Sequence, residues 1–571
     1  MQDNTHTLRV AAALLSLSPL LALAAPPDAG QLLNERQRVE APTGRPAAEP
    51  QADEQAEAHA ADHGLTALVS RVRFTGAEGL ATEDELQSWV ADRLGRRLNH
   101  GQMQALAERV TARLHAKGYL LARAYLPRQD LSGGELQIAV LAGRLQPGPG
   151  RLTLNGGNAA LQERLRAIAD ASLPDGPARA EDLERALLLM RDVPGITINS
   201  ALDKGEQPGT SRIQAQVQEQ RPWSVGASVD NFANRYTGSV RTSVRGTLYR
   251  PLEREDVADV SLSQTSGTHQ AALSYAWGVL PQGLRATVDA SYLRYDVGLD
   301  LKPLELEGTA RSLGAGLSYP LLRSRERNVW ISLDAAENRL DDDALGVSLH
   351  RRVVDSVTLG ITGNGWDDVG GGGQTDLGAS LDAGNVDLSH NADDAAADAV
   401  SARTGGSYQK LSWHLARSQN LPHDWSLFLA ANGQLATDNL DSSEQFMLGG
   451  PAGVRAYAIG EATGDEGTLA SAELRRDLRV FGVRGQALAF ADVGWITQHH
   501  AAWSGALPQS SSNDYHLAGA GVGFNVAGEH WSLRSAWAHA LGRNPNRSAA
   551  GLDADGRSAR SRAWVQLSVA Y

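Results

Sequence analysis

The chain of 571 residues has no cysteine, and its only lysines are Lys117, Lys204, Lys302 and Lys410. A cytoplasmic protein of this length ordinarily keeps a few thiols, so their absence fits an oxidising envelope compartment. The dominance of arginine over lysine reflects a GC-rich coding sequence and carries no functional weight. A formal net charge of -13 argues against nucleic acid as a partner. Long apolar runs are missing too. After the N-terminus no segment offers the roughly 20 uninterrupted apolar residues of a membrane helix. The mature chain is therefore either soluble or a β-barrel, which satisfies its backbone in lipid without helices. Enzyme templates are equally scarce: Gly-x-Ser-x-Gly, His-Glu-x-x-His, a cysteine nucleophile and a nucleotide-binding motif are all lacking. We expect no enzymatic activity, no cofactor and no metal. His499-His500 has no third ligand at a telling spacing and reads as loop. Asp553-Ala-Asp555-Gly556 is too short for a calcium loop and reads as a turn.

The N-terminus carries an export signal. Arg9 precedes an apolar run over 10–25 that ends Ala22-Leu23-Ala24, a positive flank and a small-x-small cleavage site. Residues 1–24 are read as a signal peptide, with an uncleaved anchor as the alternative. Residues 25–40 hold a short polar helix, either a tail or a movable plug. The Ala-, Pro- and acid-rich stretch 41–65 cannot bury a core and reads as a flexible tether.

Structure proper begins near Leu68. A strand over 69–74 and a helix over 83–98 are followed by a helix over 101–118, opened by Asn99 and stopped by Gly118. Strands over 120–126 and 135–142 complete a β-α-α-β-β unit, spanning 66–145. The same order recurs over 146–221: a strand at 151–154, helices at 159–169 and 180–192, then strands at 196–202 and 211–218. Two such units in an exported chain resemble a pair of POTRA domains, the periplasmic modules of outer-membrane assembly and transport proteins. Two generic α+β domains are the alternative.

After Pro222 the helical period vanishes, and segments of about 10–14 residues alternate in polarity between Gly, Asn, Asp and Pro turns. Sixteen are expected over 222–571, starting near 223, 237, 256, 269, 283, 307, 325, 346, 372, 405, 423, 466, 484, 514, 528 and 560. Of the 12 tryptophans all but Trp89 lie in this half, as interfacial girdles require. The last segment alternates Val565, Leu567, Val569 and Tyr571 with polar or small residues. It resembles the C-terminal strand that outer-membrane barrels present to their assembly machinery, where Phe is the commoner final residue.

One loop, over 441–466, points to function. It is rich in glycine yet carries Val454, Arg455 and Tyr457, bulky residues that an exposed tip does not need. Folded back into the barrel, Arg455 would require a carboxylate. Asp492 is a candidate: Ala487, Ala489, Ala491 and Val493 form the apolar face of its strand, so alternation turns Asp492 and Phe490 into the lumen.

Gly453-Val454-Arg455-Ala456-Tyr457 resembles the sixth-loop motif of the two-partner secretion transporters (TpsB, haemolysin secretion/activation type), a branch of the superfamily that includes BamA. Phe490-Ala-Asp492-Val-Gly494 resembles that family's inner-wall motif. Ala456 stands where the family usually has glycine. The resemblance implies an Arg455–Asp492 ion pair that holds the loop in place. It implies a transporter in the outer membrane of a Gram-negative bacterium, with periplasmic POTRA domains that receive an unfolded TpsA-type exoprotein (adhesin, cytolysin or contact-dependent toxin) for passage through the barrel. Further partners are outer-membrane lipid and, during biogenesis, periplasmic chaperones and the barrel assembly machinery. A BamA-type insertase is the nearest alternative. Two modules and a plug-like helix favour secretion over it, and a passive porin would leave 66–221 without a purpose.

Overall fold

A computed structural model describes residues 26–40, 66–207, 209–480, 482–507 and 511–571. The expected signal peptide and the tether lie outside the described residues.

In the first module, Arg71–Thr75, Glu135–Leu141 and Arg123–Tyr125 form a three-stranded sheet in that order. The helices Glu83–Val90 and His100–Ala116 pack on it. Leu86, Val90, Leu106, Val110 and Leu114 meet Leu136 and Ile138 in the core. Both helices begin with capping boxes, Thr82 with Glu85 and Asn99 with Gln102, which satisfy otherwise orphaned N–H groups. The helix expected over 83–98 is shorter than its sequence pattern. It stops at Val90, Gly95 reverses the chain at φ +72°, and Arg96–Leu98 becomes a strand paired with Ala67–Val69. That left-handed turn is open to glycine at little cost, and strand pairing outweighs the helical periodicity of Leu94.

The second module repeats the order, with helices Ala159–Ser172 and Ala180–Arg191 on a sheet whose centre is Thr210–Glu219. A two-residue strand, Arg144–Leu145, pairs with Thr210 and Ser211 of that sheet. The division between modules thus falls at Gly143, two residues before the expected boundary.

Sixteen antiparallel strands then close into a barrel, the first (Trp223–Asp230) pairing with the last (Ser561–Ala570). Strand starts lie close to expectation. The largest departure is the second, expected near 237 and found at Arg241, because Arg235–Thr237 forms a 3-10 turn capped by Asn234. Alternation sets the two faces. Val260, Leu262, Leu333, Leu359, Val565 and Leu567 are exposed on the outside, where lipid covers them, while polar and small residues face the lumen except where apolar ones pack against the helix and loop inside it. Closure leaves the barrel sheet without an open edge.

The modules precede the first strand, so the barrel end at Trp223 is periplasmic and the connection between the eleventh and twelfth strands (Trp425–Ala436 and Glu466–Val480) opens at the other end. Instead of projecting outward, that connection packs inside. The helix Ala29–Glu40 lies beside it in the lumen, burying Leu32 and Leu33 against Leu293, Tyr295, Leu340 and Val354 of the wall.

Candidate functional site

The inward loop is held by its tip. Val454, Ala456 and Tyr457 are buried among Leu448, Leu469, Phe490, Ile496 and Leu517. Arg455 alone turns to polar partners. Its Nε donates to Asp492 Oδ2 at 2.8 Å and its Nη2 to Asp492 Oδ1 at 2.6 Å, a two-pronged contact that fixes orientation as well as distance. The Arg455 backbone N–H also donates to Asp492 Oδ2 at 3.2 Å. Asp492 is 2% exposed. A charge buried so deeply is tolerable only when it is paired and hydrogen-bonded.

Three further residues complete the cage. Glu473, on the twelfth strand, accepts from Arg455 Nη1 at 2.6 Å and from Arg475 Nε at 2.7 Å. Ser471 Oγ donates to Asp492 Oδ1 at 2.6 Å and accepts from Arg455 Nη2 at 3.1 Å. Trp564, on the last strand, donates its indole N–H to the Arg455 carbonyl at 2.7 Å. The Phe490 ring lies beneath the guanidinium, 3.4 Å from ring centroid to Cζ, which adds a cation–π attraction. Glu473, Ser471 and Trp564 were not singled out from the sequence. Glu473 is inward by the same alternation that placed Asp492, so a parity count on the twelfth strand could have found it.

Glycines make the close approach possible. A Cβ on Gly494 would lie 2.4 Å from Leu448 Cδ2 of the loop. A Cβ on Gly453 would lie 1.8 Å from the Leu448 carbonyl oxygen. Ala456, the departure from the family pattern, fits because Gly519 stands opposite. A Cβ there would come within 2.6 Å of the Ala456 methyl.

The luminal helix has its own anchorage. Asp28 caps it by accepting from the Gln31 N–H at 2.8 Å. The buried Arg352 of the eighth strand reaches Asp28 (3.1 Å), Asp342 (2.7 Å) and Asp441 at the loop base (2.7 Å). Asn34 donates to the Gln445 carbonyl at 2.7 Å, and Arg38 to that of Met447. Helix and loop are thus in direct contact. At the barrel's C-terminus Val565, Leu567, Val569 and Tyr571 all face outward, on the face of the strand opposite Trp564. His499 packs at a tilt against Trp503 and His500 pairs with Glu466 at 2.6 Å. No group of metal-binding side chains occurs among the described residues.

Sixteen strands, an inward loop and preceding modules define an outer-membrane barrel protein of the POTRA-bearing transport class. Residues 209–526 match the model of the haemolysin secretion/activation protein ShlB/FhaC/HecB family, and residues 67–143 match the POTRA domain, ShlB-type. The chain belongs to this ShlB/FhaC/HecB family, the outer-membrane transporters of two-partner secretion, whose POTRA domains are periplasmic. It is 28% identical to the heme/hemopexin transporter protein HuxB of Haemophilus influenzae (strain 86-028NP), over 78% of this chain and 79% of that protein. With the outer membrane transporter CdiB of Escherichia coli O6:K15:H31 (strain 536 / UPEC) it shares 27% identity, over 85% and 83% of the two chains. Among solved structures, CdiB from Escherichia coli superposes with a TM-score of 0.71 at 20% identity, covering 94% of this chain and 96% of that one. CdiB from Acinetobacter baumannii gives 0.63 at 15% identity, covering 94% and 96%.

Proposed function

We propose that the POTRA modules receive an unfolded TpsA-type exoprotein, an adhesin, cytolysin or contact-dependent toxin, and that it leaves the cell through this barrel. The Arg455 cage holds the inward loop in the transport-competent position, and the helix Ala29–Glu40 closes the resting pore. The cage is the observation that carries this reading. A guanidinium of the loop and two carboxylates of the inner barrel wall form it, where a passive pore needs no such lock. A second support is the nature of the helix's seat. Beside the buried Leu32 and Leu33 the helix is held by polar contacts (Arg352–Asp28, Asn34–Gln445, Arg36–Ser261), which water or a passing polypeptide can replace at modest net cost.

An extended client segment can add to an exposed sheet edge in the modules, main chain to main chain, which accommodates many sequences. Ile196–Lys204 is such an edge, pairing among the described residues with Thr210–Glu219 alone. The outward row Val565, Leu567, Val569 and Tyr571 serves barrel assembly. The test is co-expression with the adjacent large exoprotein in a secretion-null host. Exoprotein in the medium with the full-length protein, and its loss when residues 66–143 are deleted from an assembled barrel, is the expected result. If the exoprotein stays in the cell while removal of this chain depletes other outer-membrane proteins, an insertase function replaces the one proposed.

A further inference from the structure

We propose that the periplasmic half of the lumen is a binding site for acidic stretches of the polypeptide in transit, built from Arg475, Arg479, Arg484 and Arg534. The inference rests on the transport reading above and names the chemistry that the entrance selects.

Beneath the Arg455 cage lies a cavity of about 620 Å³. The loop tip at Pro451 and Ala452 roofs it, and Arg38 of the luminal helix flanks it. Arg475, Arg484 and Arg534 line its wall together with the neutral Gln486, Asn525 and Gln566. Its two carboxylates are already engaged. Glu473 lies between Arg455 and Arg475, and Asp477 accepts from Gln486 at 2.8 Å.

Nearer the periplasm, Arg479 and Arg484 stand directly opposite each other on the twelfth and thirteenth strands, in the same inward register as Asp477 and Gln486. Both are exposed, and neither forms an ion pair among the described residues. Like charges directly opposite destabilise a strand pair, so stability does not account for this placement. Two guanidiniums at the rim, with two more above them, make a cationic entrance in a chain whose net charge is -13. The far side of the lumen has the opposite sign. Asp259, Asp289, Asp334 and Asp382, on the third, fifth, seventh and ninth strands, share the inward parity, because Val260, Val288, Leu333 and Leu381 beside them are exposed on the outside. Walls of opposite sign facing each other set up a field across the narrow, poorly screened lumen. An extended segment carrying Asp or Glu is drawn to the arginine wall, directly below the loop, where guanidinium forks can grip carboxylates in pairs.

The experiment uses the full-length protein in detergent and fluorophore-labelled octaglutamate, with octaglutamine as the length-matched control. Octaglutamate is expected to bind in a salt-sensitive manner. R479Q/R484Q should weaken it about tenfold, and R479K/R484K, which keeps the charge but not the fork, should weaken it less. The Gln double variant should melt no lower than the parent, because it relieves a like-charge pair. Equal binding of octaglutamine, or parental affinity in R479Q/R484Q, overturns the site. A protein that exports its client yet ignores octaglutamate loses only this inference, whereas failed export with intact octaglutamate binding counts against the transport reading.

Discussion

At the scale of single residues, the Arg455 cage is one unit, and its members should fail together. Removing Arg455 leaves Asp492 buried without its cation and Glu473 with Arg475 alone, a loss of roughly 3–5 kcal/mol for a broken buried pair. Lysine at 455 should not restore function, because a point charge cannot reproduce the two-pronged contact. Gly519→Ala is expected to push Ala456 off the wall and unseat the loop at about 1–3 kcal/mol, as overpacking does. Ala456→Gly in the same chain should reverse this, and protease accessibility of the loop would report both outcomes. Failure of that rescue would mean that Ala456 and Gly519 are not in contact. Asp492 was legible in the sequence because strand alternation alone aims it inward. Gly519 and Trp564 were not, since they come from the fourteenth and sixteenth strands and nothing local marks them as neighbours of residue 455.

At the scale of elements, the loop and the luminal helix each carry a test. Glu461 of the loop is 4% exposed and accepts from Asn544 Nδ2 and from the Ala554 N–H, both at 2.7 Å. Burial pushes its carboxyl up to about 7, and Asp553 adds to the shift against the opposing Ala554 N–H, Asn544 and Arg562, while Tyr457 and Tyr515 lie close by. The seated loop therefore binds more protons than a released one between the ordinary value of 4.5 and about 7. Seating should tighten as pH falls through that window and weaken above it. Hydrogen exchange of the loop at pH 6 and 8 checks the direction, and Glu461→Gln should abolish the difference. For the helix, a Cβ on Gly30 would meet Ser442 Oγ at 2.4 Å and the Ser443 nitrogen at 2.8 Å. Gly30→Val should prevent seating and raise single-channel open time in planar bilayers. Unchanged conductance would show that the helix does not close the pore. The helix itself was legible from composition, but its anchor was not. Arg352 lies more than 300 residues from Asp28, and a lone inward arginine on a strand gives no sign of three carboxylates around it. The overlong helix expected over 83–98 has a similar cause: apolar spacing was visible, while the pairing of Arg96–Leu98 with Ala67–Val69 is a tertiary event.

At the scale of the whole molecule, the second module is bolted to the periplasmic rim. Arg323 of the sixth strand grips Asp192 through Nε (2.9 Å) and Nη2 (2.7 Å), and Glu255 joins Arg164 of the module to Arg285 of the barrel at 2.6 and 2.7 Å. The module is thus oriented toward the entrance, and Arg323→Ala combined with Glu255→Ala should loosen it. Cross-linking between Cys introduced at 189 and 283 would then fall, with export reduced more than barrel assembly. The barrel and the repeated module order were readable from periodicity, because closure and POTRA-like folding impose regular spacing on the chain. This rim contact was not, since it depends on turns from different strands meeting helices far away in sequence. The most direct measurement of the central claim is a double-mutant cycle on exoprotein secretion with Arg455→Ala, Asp492→Ala and the pair, assembly being verified by heat-modifiable gel mobility. The account predicts that each assembled single variant exports about tenfold less or worse, and that the pair is no worse than either single. Normal export from an assembled Arg455→Ala barrel would contradict it.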